Sequence, residues 1–270
     1  RVLFRSRDGR GTPAKLTIAA FRRCAPLVVG VLGIVYVVAD ISIYRSIVVL
    51  LAYGVTHLIA SRTTRSRSVL VVALIGLLAG AIAEYPDGSD LWAYNAYGRI
   101  VTKYHENPYV KVPSDFPEDT VMARVLPMYS NVPSLYGPVF VAGSAVISSV
   151  GGNSRTAGRL LWQSSCALAV LASLVLLRRR GAGPELMWMF AASPLVVYEL
   201  INQAHNDIFV GFLILVGCIM GEKRRVVAAT VAFSAAALIK APAVIALGVF
   251  IVWLFARREG RRALMATLTS

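Results

Sequence analysis

Apolar runs dominate the chain, and short basic clusters punctuate them. A helix needs about 20 apolar residues to cross a hydrocarbon layer. The runs near 25–44, 46–60, 68–84, 157–177, 184–200, 207–221, 226–240 and 242–257 predict eight membrane-spanning helices, several of them short. The expected fold class is an all-α polytopic membrane protein. A ninth apolar stretch, 138–150, cannot cross without moving the Arg178–Arg180 cluster to the opposite side, against the positive-inside rule. It is therefore expected to be an interfacial or re-entrant helix. The polar remainder, residues 85–137, forms one long extracytoplasmic loop rich in acids, prolines and aromatics, and loops of that length are usually functional or disordered. Aromatic side chains such as Trp92, Tyr94, Tyr97, Tyr129 and Tyr136 favour order.

Composition supports this reading. The chain is 57% hydrophobic, above the roughly 45–50% of soluble domains, and its mean hydropathy is +0.65. The net charge of +14 comes with a distribution: twenty of the 28 Lys and Arg residues lie in clusters at 1–23, 62–67, 178–180, 223–225 and 257–262, at the ends of apolar runs. A cytoplasmic N-terminus puts all five on one side. That excludes nucleic acid as the reason for the charge, and the lipid bilayer is the expected partner. The expected organisation is a basic cytoplasmic segment over 1–24 and one transmembrane domain over 25–270. Cys24, Cys166 and Cys218 share no metal-type spacing and read as free thiols.

Four polar constellations fall on the outer side. Ser89 to Arg99 reads as a short amphipathic helix, where Ser89 or Asp90 caps the N-terminus or Asp90 offers a carboxylate that takes a proton from a hydroxyl nucleophile. Tyr94 lies one turn on. Arg99 lies nine residues from Asp90, on the far side of an ideal helix, which suits an anchor or a phosphate contact. Ser134 to Pro138 opens the interfacial helix, with Pro138 a normal helix start and Tyr136 a substrate-facing aromatic. Asn202 to Asp207 packs five strongly polar side chains into six residues, costly near hydrocarbon unless they line a cavity. The plainer reading is a polar turn with Asp207 as a cap. Lys240 either snorkels to the interface or supplies a point charge to an anionic phosphate. Glu84 and Glu199 border the same face with no specific role. Three histidines without clustered ligands argue against a zinc site.

The ordered pieces SDLWAYNAYGR, ENPY, YGP, ASPL, AHND and the Lys240-Ala241-Pro242 step resemble the integral-membrane GT-C glycosyltransferases. Within these the chain looks most like the bacterial polyprenol-phosphate-mannose-dependent α-1,6-mannosyltransferases that extend lipomannan-type glycans. The resemblance spans roughly residues 68–245. Members are usually much longer, so the resemblance implies a fragment lacking C-terminal spans. It also implies a GT-C helical bundle in the bacterial cytoplasmic membrane with an extracytoplasmic site. There a polyprenyl-phosphate-sugar donor meets a glycan or glycolipid acceptor, with Asp90 as general base and inversion at the anomeric carbon. Tyr94, Arg99, Tyr136, His205, Asn206, Asp207 and Lys240 would contact substrate, with Arg155 and Arg159 as further phosphate candidates. No cofactor is required; Asp90 with Asp207 could hold a divalent ion, but a monophosphate donor lessens the need and no metal is predicted. The competing reading is a transporter or flippase, or an inactive membrane subunit. Transporters often carry midplane charges and internal repeats, and neither is visible in this sequence.

Overall fold

The computed structural model describes residues 67–83, 90–193 and 195–256, together with Val55. The basic segment 1–24, the expected spans 25–44 and 46–60, Cys24, Glu84 and Ser89 lie outside the described residues. Among those described, every regular element is helical. The helices are α1 (Arg67–Ile82), α2 (Leu91–Thr102), a short α3 (Pro127–Ser130), α4 (Pro138–Gly151), α5 (Arg155–Arg179) and α6 (Pro184–Ala191). A π-helix (Leu195–Asn202) leads to α7 (Asp207–Glu222), α8 (Val226–Ala237) and α9 (Val244–Ala256).

Helix α5 is the described helix long and apolar enough to cross a membrane alone. Its 25 residues span about 38 Å at 1.5 Å each. The π-helix and α7 pass the same test only as a pair, bent by 110°. Helices α4 and α8 and the stretch Ala241–Ala256 are apolar but shorter. The expected unbroken span over 184–200 is corrected: it is two pieces, α6 and the π-helix. The sequence explains the interruption, because Pro194 has no amide hydrogen to donate and disfavours helical geometry at the residue before it.

Helix α2 differs most from its expected form. An amphipathic helix should leave one face wet, yet Leu91 through Ile100 are all buried. Small residues make this enclosure possible. A Cβ on Gly98 would stand 2.1 Å from the carbonyl oxygen of Ser144, so α2 and α4 meet backbone to backbone. Helix α4 in turn packs on α5, and a Cβ on Gly151 would lie 3.2 Å from the Cα of Gly158. The loop from 113 to 125 covers the remaining side through its two 3-10 turns, Pro113–Asp115 and Met122–Arg124. Helices α7, α8 and α9 form a second layer, in which Phe233 of α8 and Phe250 of α9 lie 4.8 Å apart between ring centroids.

The end of α1 shows how polar groups are satisfied within this apolar frame. Its last carbonyls have no intrahelical partners. The Arg159 guanidinium donates to the carbonyls of Ile82 and Ala83 at 2.7 and 2.9 Å. Gln163 donates to Ala83 and Asn202, and the Asn202 amide to Gly80 and Ala83. The Arg159 charge thus closes a helix C-terminus, where the backbone dipole favours a cation.

The α2–α4 seam yields a first prediction. Gly98→Ala forces a methyl into the Ser144 carbonyl, and overpacking of this kind costs about 1–3 kcal/mol or more. Thermal unfolding of the detergent-solubilised protein should show a lowered midpoint, whereas Gly143→Ala, which meets nothing within 4 Å, should leave it unchanged.

Candidate active site

Helix α2 carries a carboxylate at one end and a guanidinium near the other, and the two have different fates. Arg99 is 6% exposed. Its Nε donates to Asp119 at 2.5 Å, one terminal nitrogen donates to the Gly152 carbonyl at 3.1 Å, and the other donates to Asn153. With all three nitrogens engaged, Arg99 takes the anchoring one of the two roles expected for it. Asp119 is itself fully covered and also accepts from Lys103 at 2.8 Å and Tyr104 at 2.7 Å. Burial works against its charge, but these donors and the Val121 amide outweigh burial and hold its carboxyl well below the usual carboxylate range. Arg124, lying 5.1 Å over the Trp92 ring, fastens the same loop to Asn153.

Asp90 occupies the N-cap position of α2, but its side chain makes no capping bond. The capping expectation is corrected, and the carboxylate points elsewhere. It accepts from the Tyr94 hydroxyl one turn on at 3.3 Å, and its charge raises the nearby Tyr129 phenol of α3. Its Oδ2 lies 3.6 Å from Nδ1 of His205, whose Nε2 lies 3.4 Å from Glu199. Gln203 donates to the same Glu199 oxygen at 3.2 Å.

Beneath Asp90 is an aromatic floor. The Tyr94 ring meets Tyr136 and Phe140 edge-on at 5.1 and 4.8 Å, and Trp162 at 5.2 Å. Edge-to-face geometry of this kind adds about 0.5–1.5 kcal/mol per pair beyond burial. Tyr94 is fully buried and supports Asp90 through its hydroxyl. Burial and the neighbouring Tyr136 and Asp90 raise its phenol strongly. Tyr136 is pushed up to about 12, mainly by burial, with Asp90 and Asp207 both adding to the rise, while a hydrogen bond with Tyr94 opposes it. One ring thus senses both carboxylates.

The turn after the π-helix is backbone-strained. Ala204 adopts φ 58°, a left-handed conformation uncommon for a residue with a Cβ. π-helical segments and such strained residues concentrate at functional sites. The turn leaves His205 part-exposed and buries Asn206 completely, with neither amide atom of Asn206 partnered. Asn206 is thus enclosed next to the part-exposed His205 in the chain. The N-cap position of α7 belongs to Asn206, not Asp207; Asp207 accepts from Lys240 at 2.8 and 2.9 Å. Lys240 is thus neither a lone snorkelling cation nor an isolated phosphate ligand but half of an exposed ion pair. Asp207 being committed to Lys240 also removes it as a ready metal partner for Asp90. Among the described residues, no group of three or more His, Cys, Asp or Glu side chains is placed to hold a metal ion.

The structure therefore brings together Asp90, Tyr136 and His205, joins Asp207 to Lys240, and sets Arg99 and Arg159 apart. Two neighbours, Tyr129 and Glu199, are missing from the sequence-based site. Glu199 carried a signal, a lone acid inside the apolar stretch Leu195–Asn202; Tyr129 carried none. A part-exposed carboxylate above an aromatic floor, held in a helical frame, suits proton transfer from a hydroxyl-bearing substrate. The chain belongs to the alpha-(1->6)-mannopyranosyltransferase family: the model of that family's N-terminal domain matches residues 16–257. It is 30% identical over 191 residues to alpha-(1->6)-mannopyranosyltransferase A of Mycobacterium tuberculosis, covering 67% of this chain and 36% of that protein. It is 31% identical to the A and B enzymes of Corynebacterium glutamicum over 131 and 140 residues, which is 47 and 49% of this chain and 26 and 23% of theirs. The chain thus spans about a third or less of the curated relatives it matches. No solved structure matches it.

Asp119→Ala leaves the Arg99 charge buried without its carboxylate, and breaking a buried pair this way costs about 3–5 kcal/mol. Because the folded-state value is depressed, the stability from Asp119 is full above its unfolded value of about 4 and is lost as pH falls through the lower folded value. Chemical denaturation of the wild type should weaken over that acid window, and the Asp119→Ala protein should lack this part of the decline.

Proposed function

We propose that the protein transfers mannose from a polyprenyl-phosphate donor to a hydroxyl of a glycan or glycolipid acceptor, with inversion. The reaction is assigned to the extracytoplasmic face of the bacterial cytoplasmic membrane, within a multi-pass GT-C helical bundle. Family membership supports the sugar and the reaction class. The outward apolar surface supports the membrane setting: Val227, Ile245 and Val252 are 78, 69 and 67% exposed, and contiguous exposed apolar surface of that kind marks an interaction with lipid or protein.

The observation that carries the chemistry is Asp90, a part-exposed carboxylate that is free of its helix cap and positioned by Tyr94. In the reaction the acceptor oxygen bonds to the anomeric carbon as the bond from that carbon to the donor phosphate breaks. Asp90 takes the hydroxyl proton, and the polyprenyl phosphate departs as an anion. General-base assistance of this type contributes about 10²–10⁴-fold. Lys240, paired with Asp207, stands on the outer side as the cation for the departing phosphate, where a positive charge stabilises the anion that forms. Tyr136 lies between the two as the wall against which the sugar sits.

Membranes carrying the protein, supplied with radiolabelled polyprenyl-phosphate-mannose, test this. Asp90→Asn should lower product formation by about 10²-fold or more while abundance and membrane insertion stay at wild-type levels. Undiminished transfer by that variant would remove Asp90 from its assigned role.

A further inference from the structure

Asp90, His205 and Glu199 stand in a row that the transfer reaction does not use beyond its first member. Each ring nitrogen of His205 faces a carboxylate, Nδ1 toward Asp90 at 3.6 Å and Nε2 toward Glu199 at 3.4 Å. Side-chain exposure rises along the row, from 23% at Asp90 to 30% at His205 and 40% at Glu199. The three come from different places, the start of α2, the strained turn and the π-helix. Two backbone features hold the second and third together: the left-handed Ala204 and the hydrogen bond from the His205 amide to the Glu199 carbonyl at 3.3 Å. Gln203 steadies the outer carboxylate from one side, and Tyr94 steadies the inner one from the other.

A general base that has taken a proton must lose it before the next turnover. The floor below Asp90 is Tyr94, Tyr136, Phe140 and Trp162, with the Tyr94 hydroxyl already donating to Asp90 and its phenol raised. The proton has no exit in that direction. An acceptor sugar bound above would close off the solvent side until product leaves. The row through His205 is the remaining route, and the imidazole is the side chain suited to shuttling at neutral pH.

We propose that His205 and Glu199 form a proton relay that returns Asp90 to its ionised form after each transfer. The inference rests on Asp90 being the base. The acceptor proton passes to Asp90, then to Nδ1 of His205, while the Nε2 proton passes to Glu199 and from there to water. The ring is left as the opposite tautomer, and a ring flip or solvent exchange resets it. Nothing is oxidised or reduced, and one proton leaves per sugar transferred. The separations of 3.4 and 3.6 Å exceed hydrogen-bond length and contract when substrate fills the site, as catalytic contacts commonly do. His205 and Glu199 are accordingly positioning and relay residues that act through Asp90.

The test is steady-state mannosyl transfer by the full chain in phospholipid nanodiscs, with polyprenyl-phosphate-mannose as donor and a full-length relative run alongside. His205→Ala should lower kcat by about 10- to 100-fold and leave the donor KM within about twofold. Added imidazole should recover a large part of the lost kcat, which a purely structural role for His205 would not permit. Glu199→Gln should lower kcat by about tenfold, and Glu199→Asp, which keeps the charge, should lower it less. Wild-type kcat in His205→Ala beside an inactive Asp90→Asn would overturn the relay and leave the base assignment standing. A defect confined to KM, or loss of kcat that imidazole does not restore in a protein with an unchanged unfolding midpoint, would also overturn it. Full activity in Asp90→Asn, or no transfer by the wild-type chain where the relative transfers, would overturn the proposed function and the relay together.

Discussion

The buried guanidinium of Arg99 is the constraint on which the site's geometry depends. A charge enclosed among apolar side chains is strongly unfavourable unless it is paired and its remaining hydrogens are satisfied. Arg99 meets that demand by reaching three parts of the chain at once: Asp119 in the loop, and the Gly152 carbonyl and Asn153 in the turn between α4 and α5. Those contacts pin one end of α2, while Gly98 against Ser144 pins its middle. Three turns of rigid helix then leave Asp90 little freedom. The Asp90 carboxylate is therefore positioned by a charge that never meets it.

A second device works from the opposite wall. A regular α-helix running through residues 195–207 would place His205 and Asp207 on directions set by its 3.6-residue period. The widened π turns, the left-handed Ala204 and the 110° bend into α7 redirect that stretch. As a result His205 turns to Asp90 and Asp207 turns to Lys240. The strain is carried by buried neighbours, since Ile201, Asn202, Ala204 and Asn206 are nearly or fully inaccessible.

Much of this was legible in the residues, and the limits are physical. Helical class follows from the apolar runs, and α5 matches its expected extent because 25 uninterrupted residues leave little ambiguity. Helix α4 begins at Pro138 as its sequence requires. Enclosure of α2 was not legible, since Asn95, Arg99 and the tyrosines look like a wet face until the partners 20 to 54 residues away are known. The break inside 184–200 was marked by Pro194, but an apolar run long enough to span conceals a proline near its middle. In the site, Asp90, Tyr136, His205, Asp207 and Lys240 stand out as polar or aromatic residues in apolar surroundings. Tyr129 is one aromatic among many, and nothing local distinguishes it. From the sequence Arg99 reads as an anchor or a phosphate contact and Arg159 as a phosphate candidate, because an arginine that serves protein acceptors differs from one that serves a ligand only in three dimensions.

One seam has a consequence for how such a site can change. The start of α4 rests on the end of α8 through peptide groups: the Gly137 amide donates to Ile239 and the Val139 amide to Leu238, at 3.0 and 3.2 Å. A Cβ at 137 would stand 2.1 Å from the Leu238 carbonyl oxygen, so that position admits only glycine. The flanking side chains, Tyr136 on one strip and Lys240 on the other, contribute nothing to the join. Spacing across this seam is thus fixed by main-chain atoms common to every amino acid, and a change of side chain at Tyr136 or Lys240 leaves both peptide hydrogen bonds of the join in place.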